Sequence, residues 1–507
     1  MRTYLISLVL LFATMLCSAQ KLTITPANPA MSPEAKALLE LHYRISGKYI
    51  LTGQHNYPVT RDRNSRFAAK FLDKTPVIWS SDFGFSKEGD KDSYLARPEI
   101  VKEAIRQHKK GSLITLCWHA VPPTANEPIT FQPQGMFEPG KLASVQGRLL
   151  EEQYKDLLTP GTEIYKNWAR QVDTIAVYLK QLQEAKVPVL WRPYHEMNGD
   201  WFWWGERVGK YSTADIYRQL FDRLVNIHHL NNLVWVWNVD RPGKPIRQFR
   251  NFYPGNDYLD ILSLDVYGSD FNQAYYDSLL VLAKGKPLLF GEVGQPPLTP
   301  ILDKQPLWTS WVIWAGMTRG MTDEHIAMLK DPRVLGQEDP AWWKVAEPYR
   351  KACGLPLLPL KDKYISAGFA GTWILDEGQT DKHIPAPFLI KIDRDFGILY
   401  VKKYEEAEYG EDIITNEELW LDGTEMKSST GNSTSLTKVI WNNSTGNLEK
   451  ITSSTRKWGE RSMELKSSEK WILKEGGKNL IIIQSMPDRQ GNESTSTAVY
   501  SRITGGK

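Results

Sequence analysis

The chain has 507 residues, a length for two or three domains at ~100–200 residues each. With 41% apolar and 24% charged residues it is neither a disordered chain nor a membrane bundle. Its 62 basic residues are balanced by 59 acidic ones, a net charge of +3 that excludes an electrostatic nucleic-acid binder. The unusual count is aromatic: 19 Trp, 22 Tyr and 16 Phe. Aromatic faces suit the C–H faces of sugar rings, but they also fill large cores, and composition does not separate the two.

In chain order, Arg2 precedes an apolar run from Tyr4 to Leu16, followed by Cys17-Ser18-Ala19-Gln20. A charged start, a short greasy stretch and small residues at a cut site read as an export signal over residues 1–19, cleaved after Ala19. Outside it, only Cys117 and Cys353 remain, so no disulfide framework is expected, and Cys117 reads as a small buried thiol. No Cys/His cluster has zinc spacing, so neither a metal nor another cofactor is expected.

Residues 20–350 alternate apolar runs with amphipathic stretches. The runs are 49–53, 76–80, 113–118, 187–191, 233–237, 259–264, 287–291 and 311–314, each almost continuous in hydrophobicity, as strands buried on both faces are. Helices are predicted over 98–110, 164–185 and 213–230, the last with Thr213 as its N-cap. Eight such units predict an α/β fold, a (β/α)8 TIM barrel. An open doubly wound sheet fits less well, since no G-x-G-x-x-G turn follows an early run.

Residues 351–364, with Gly354-Leu355-Pro356 and Pro359, read as a linker. Residues 365–507 are rich in Ser, Thr, Asn and Gly, with short alternating runs at 371–375, 397–401, 438–441 and 479–483. They predict a smaller all-β domain, a sandwich or small barrel. The segment 120–163, bearing Phe131, Met136 and Phe137, predicts a loop over the cleft.

Barrel chemistry sits where the strands end. After the fourth run stands Arg192-Pro193-Tyr194-His195-Glu196-Met197-Asn198-Gly199-Asp200, followed by Trp201-Phe202-Trp203-Trp204-Gly205; within and after the seventh stands Phe290-Gly291-Glu292-Val293-Gly294. Two carboxylates at a barrel mouth can divide the roles of acid and nucleophile in glycoside hydrolysis. The acid must keep its proton near neutral pH, which calls for an apolar surround, and the aromatic run can supply it. The bland readings are a helix cap or ion-pair partner for each Glu, and a core plug for the aromatics.

The Arg192–Gly205 segment resembles the signature of glycoside hydrolase family 26, and Phe290–Gly294 resembles that family's nucleophile strand. The resemblance spans roughly residues 35–350. It implies endo-β-1,4-mannanase activity and a retaining mechanism, with Glu196 as acid/base and Glu292 as nucleophile. By the same resemblance, His195 shapes the sugar-binding centre and Tyr267 hydrogen-bonds the nucleophile. Asp265 supports the site, and Arg192 favours the ionised nucleophile. Trp314 is the platform under the cleaved sugar, Trp201 an aromatic on the leaving-group side, and His119 a subsite histidine. The expected partner is a β-mannan polysaccharide or oligosaccharide. No nucleic acid and no membrane span are expected, and the chain is expected to be a monomer. The alternatives are the same chemistry on mixed-linkage β-glucan or β-xylan, or a carbohydrate-binding protein without catalysis.

Overall fold

The computed structural model describes residues 24–84, 96–134, 138, 140–360, 367–381, 386–395, 397–407, 411–430, 432–458, 461–487 and 493–503. The predicted export signal, and Met136 and Phe137 of the predicted cleft loop, lie outside these. The chain divides into two compact units, Met1–Leu360 and Lys361–Lys507.

The first unit is built on seven parallel strands that follow the apolar runs: β1 (Gly53–His55), β2 (Ile78–Asp82), β3 (Leu113–Trp118), β4 (Val189–Pro193), β5 (Leu233–Asp240), β6 (Ile261–Val266) and β7 (Leu288–Val293). They pair in sequence order, and every residue in them is buried. Burial on both faces is why the runs lack a polar/apolar alternation. The eighth run closes the barrel irregularly. Ile313 bridges both Gln54 of β1 and Val293 of β7, and Ser310 bridges Leu51. Gly53 makes the close approach possible: a Cβ there would lie 2.3 Å from the Trp311 carbonyl oxygen.

Helices cover the barrel. In α1 (Arg97–Lys110), Ile100, Val101 and Ala104 are buried; in α2 (Glu163–Glu184), Trp168, Val172, Ile175, Leu179 and Leu182 are. The third predicted helix, α3 (Thr213–Asp222), continues as a π-turn over Arg223–Ile227. Its cap is Ser212 rather than the predicted Thr213: the Ser212 hydroxyl accepts from the Asp215 N–H while the Asp215 carboxylate accepts from the Ser212 N–H. That reciprocal pair satisfies two orphan donors, which Thr213, whose hydroxyl donates to the Trp204 carbonyl, does not. The segment 120–163 is not all loop, since Glu151–Leu157 forms a helix.

The second unit is one ten-stranded antiparallel sheet. Its strands are β8 (Gly371–Leu375), β9 (Leu389–Asp395), β10 (Ile398–Glu405), β11 (Ile413–Trp420), β12 (Met426–Thr430), β13 (Ser433–Asn442), β14 (Asn447–Trp458), β15 (Arg461–Lys474), β16 (Asn479–Pro487) and β17 (Glu493–Arg502). Consecutive strands pair, except β11 with β12, and β8 also pairs with β17, so the sheet closes on itself up to that one seam. Phe369, Trp373, Leu399, Leu448, Trp471 and Leu480 lie in its apolar core.

Candidate active site

The barrel staves each bring a side chain to the C-terminal end of the sheet. β4 delivers the chain into residues 194–205, where Tyr194 (φ 47°) and Glu196 (φ 49°) take the left-handed conformation. Such residues cost of order 1–3 kcal/mol each and persist only where the surroundings enforce them. The enforcing group at Glu196 is Asn238 of β5. Its Oδ1 accepts the Glu196 backbone N–H at 2.7 Å, and its Nδ2 donates to Asp265 Oδ1 at 2.7 Å and Ser263 Oγ at 2.5 Å. The Glu196 side chain is buried, and Trp201 Nε1 donates to its Oε2 at 2.6 Å. Burial first, and then the charges of Glu292, Asp265 and Asp240, push the Glu196 carboxyl well above the usual carboxylate range; the Trp201 bond opposes this only in part.

Glu292 lies within β7, with a donor on each oxygen. Arg192 Nη2 donates to Oε1 at 2.5 Å and the Tyr267 hydroxyl to Oε2 at 2.6 Å. The other arm of Arg192 donates to Asp265 Oδ2 at 2.9 Å, so one guanidinium spans both carboxylates. Burial opposes the Arg192 charge, yet Asp265 and Glu292 hold it firmly protonated. Burial and the neighbouring Glu292 push the Tyr267 phenol up, keeping it a donor. His195 Nε2 lies 3.9 Å from Glu292 Oε1; burial, with His119 and Arg192 nearby, pushes this imidazole well down, so it is neutral.

One oxygen each of Glu196, Asp265 and Glu292 lies within 4.8 Å of the others. Three carboxylates this close have the donor chemistry of a cation site; here Arg192, Tyr267, Asn238 and Trp201 supply donors to them. The cluster leaves no room for a side chain at Gly291, where a Cβ would stand 2.6 Å from Asp265 Oδ1, 2.7 Å from Asn238 Nδ2 and 2.9 Å from Arg192 Cδ.

An aromatic wall adjoins this centre. His119, after β3, meets the rings of His195 (centroids 4.5 Å apart), Phe202 (5.3 Å), Phe131 (5.5 Å) and Trp314 (6.3 Å). It is anchored by Asp82 of β2, whose carboxylate accepts the His119 backbone N–H and hydrogen-bonds Nδ1. Burial works against the Asp82 charge, but His119 holds the carboxyl well below the usual range. Trp314 stacks on His55 of β1, with centroids 4.0 Å apart and planes 15° off parallel. His55 Nδ1 bonds Ser80 Oγ at 2.9 Å, its buried Nε2 has no hydrogen-bond partner among the described residues, and burial pushes the imidazole down to about 4.

The run of four aromatics divides its labour. Trp203 and Trp204 are buried and donate to the carbonyls of Ala120 and His195, so they, with Phe202, are the plug; Trp201 alone is partly exposed and engages Glu196. The structure thus joins Glu196, Glu292, His119, Arg192, His195, Trp201, Asp265, Tyr267 and Trp314 in one connected constellation. It adds Asn238, Asp82 and His55, which the sequence reading leaves out. Asn238 immediately follows the fifth apolar run and His55 comes two residues after the first, so the strand-end rule would have found both. Cys117 and Cys353 are free and buried, and the Cys117 thiol donates to Asp82 Oδ2 at 3.1 Å.

The sequence model for glycosyl hydrolase family 26 matches residues 27–337. The chain is 32% identical over 316 residues to a mannan endo-1,4-β-mannosidase of Thermothelomyces thermophilus, covering 61% of this chain and 59% of that one. The solved structure of GH26A from Muricauda sp. MAR_2010_75 is 40% identical, with a TM-score of 0.56 over 61% of this chain and 98% of that one. The Podospora anserina GH26-CBM35 β-(1,4)-mannanase is 28% identical, with a TM-score of 0.52 over 63% of this chain and 70% of that one. The chain spans about half the length of the curated relatives it matches: 59%, 46% and 49% of three of them.

Proposed function

The chain belongs to glycosyl hydrolase family 26, and from that premise we propose that it hydrolyses β-1,4-mannosidic bonds in mannan, glucomannan or galactomannan with retention of configuration. Glu196 is the acid/base and Glu292 the nucleophile. The observation that carries this reading is the spacing of the two carboxylates, which approach within 4.8 Å. Retaining glycosidases hold the pair about 5–5.5 Å apart, whereas inverting ones need roughly 6.5–9.5 Å to admit a water.

In the first step the protonated Glu196 gives its proton to the glycosidic oxygen as the bond to the anomeric carbon breaks. Glu292 attacks that carbon from the opposite face and forms a glycosyl ester. Glu196, now a carboxylate, then takes a proton from water, whose oxygen attacks the anomeric carbon and expels Glu292. The Arg192 and Tyr267 donors hold the two Glu292 oxygens in place through both steps. Trp314, backed by His55, offers a flat face to the sugar, and His119 and neutral His195 offer ring nitrogens at its edge.

The named mannan endo-1,4-β-mannosidases support the mannosidic bond as the one cleaved. Reducing-end release from galactomannan and glucomannan, set against xylan and lichenan, tests the substrate: product from either mannan is expected, and product from xylan or lichenan alone contradicts it. We also propose export through residues 1–19, which mature protein beginning at Gln20 by mass spectrometry would support and an intact Met1 in the exported fraction would refute.

A further inference from the structure

The second unit holds a cavity that the chemistry of the first does not use. It lies within the rolled sheet and measures about 160 Å³. At a liquid share of about 30 Å³ per water, that is room for about five waters, the scale of one small ring rather than a stretch of polymer.

The floor of the cavity is charged. Lys403 Nζ donates to Glu417 Oε1 at 3.1 Å and lies 3.7 Å from Glu469 Oε2. Lys450 Nζ donates to Glu417 Oε2 and Glu469 Oε1, both at 2.9 Å, and Trp471 Nε1 donates to Glu469 Oε2 at 3.0 Å. Lys403 and Lys450 offset Glu417 and Glu469, and a third carboxylate, Glu405, also lines the cavity, so the lining is rich in acceptors and offers an anion no uncompensated cation. Burying such a cluster is costly compared with apolar packing, and a hydrocarbon ligand would meet the wrong floor.

Two donors remain underused. Among the described residues Lys403 donates one hydrogen bond, to Glu417, and lies 3.7 Å from Glu469 and 5.8 Å from the Trp471 ring centre, although its ammonium carries three N–H groups. Tyr500 lines the cavity and is 1% exposed, yet among the described residues its hydroxyl has no hydrogen-bond partner. The hydroxyl oxygen is not itself buried and is open to the cavity. Opposite these groups, Ile390, Ile482 and Ala498 give the cavity an apolar wall.

We propose that this cavity binds the terminal sugar of a neutral oligosaccharide, its hydroxyls meeting Tyr500, Lys403 and the carboxylate lone pairs and its C–H face lying on Ile390, Ile482 and Ala498. A sugar hydroxyl both donates and accepts, which is what a floor of mixed donors and acceptors requires, and a cavity of about 160 Å³ takes one ring at a chain terminus rather than a stretch of chain interior. That the sugar is mannose rests on the proposed function of the first unit. The second unit then keeps the enzyme on chain ends that the first unit generates.

The test is calorimetric titration of the full-length Glu292→Ala chain with mannotriose, and with cellotriose in parallel. Two mannotriose sites are expected. Adding Tyr500→Phe, or Ala498→Leu to fill the cavity, weakens one of them by about tenfold or more, while either change in the otherwise native chain leaves hydrolysis of a short soluble mannan substrate unchanged. A single site, or two sites indifferent to both changes, overturns the proposal. Cellotriose binding at the Tyr500-dependent site without mannotriose binding overturns the assignment to mannose. Because binding is read on a hydrolytically silent chain, these outcomes stay distinct from a failure of the wild-type chain to release product from mannan.

Discussion

At the level of single residues, one cluster gives two glutamates different surroundings. Glu196 is buried beside Glu292, Asp265 and Asp240, which raises its carboxyl well above the ordinary range and keeps its proton available. The sign follows directly: the proton donor is present below its raised pKa and lost as pH rises through it. The alkaline limb of kcat/KM is therefore expected to belong to Glu196. Glu196→Ala is expected to lower activity on polysaccharide by roughly 10²–10⁴-fold and to flatten that limb for an aryl mannoside whose leaving group needs no proton. An unchanged limb in the variant would assign it elsewhere. Asn238 is a positioning residue, since it holds the left-handed Glu196 backbone and reaches Asp265 with its other end. Asn238→Ala is expected to cost about 1.5–3 kcal/mol of transition-state stabilisation, a roughly ten- to hundred-fold fall in kcat/KM, carried by kcat and accompanied by a shifted alkaline limb. A loss confined to thermal stability would reduce Asn238 to a structural role.

At the element scale, each reacting group is placed by a strand whose every residue is buried, and that burial is what made the strands legible. An unbroken run such as Leu233–Trp237 has only one stable home, a parallel sheet covered on both faces. The carboxylates were legible for the same reason, because a charged residue directly beyond such a run has nowhere to stand but the barrel mouth. What the sequence did not disclose was lateral contact. Nothing local says that Asn238 bridges Glu196 to Asp265, or that Asp82 holds His119, since both bonds join residues far apart in the chain. The second unit was legible only where apolar residues cluster, as at Asn479–Ile483. Strands such as Arg461–Lys474 carry Glu on both faces, Glu464 on one and Glu469, pointing into a charged interior, on the other, so alternation fails there. Gly291 gives an element-scale prediction. Gly291→Ala puts a methyl among Asp265, Asn238 and Arg192 within 3 Å. The change is expected to cost about 1–3 kcal/mol of stability and to abolish most of kcat, as read by thermal melts and single-turnover rates; wild-type behaviour in both would mean the cluster is looser than its contacts indicate.

At the scale of the whole molecule, the two units differ in what holds them and so in how they respond to acid. The barrel is closed by backbone pairing and a large apolar core. The rolled sheet has an unpaired seam, and Lys403 and Glu417 on one side of it are tied to Lys450 and Glu469 on the other. Burial works against the Glu469 charge, but the two lysines bring its carboxyl from 4.5 down to about 2, and Glu417 is lowered in the same way. A depressed folded-state pKa contributes stability that is complete above the ordinary carboxylate value and is lost as pH falls through the depressed one. Calorimetry of the full chain between pH 5 and pH 2 is expected to show one transition moving to lower temperature with acid, and Glu469→Gln is expected to lessen that dependence. An acid response unaltered by the substitution would remove the cluster from the account.

The claim on which the rest depends is that Glu196 and Glu292 act as a retaining pair on one β-mannosidic bond. Proton NMR of the anomeric signals during the first minutes of manno-oligosaccharide hydrolysis, before mutarotation, reads this directly. The new reducing end is expected to appear first as the β-anomer and to drift only later to the α/β mixture; first appearance of the α-anomer would rule out the retaining pair.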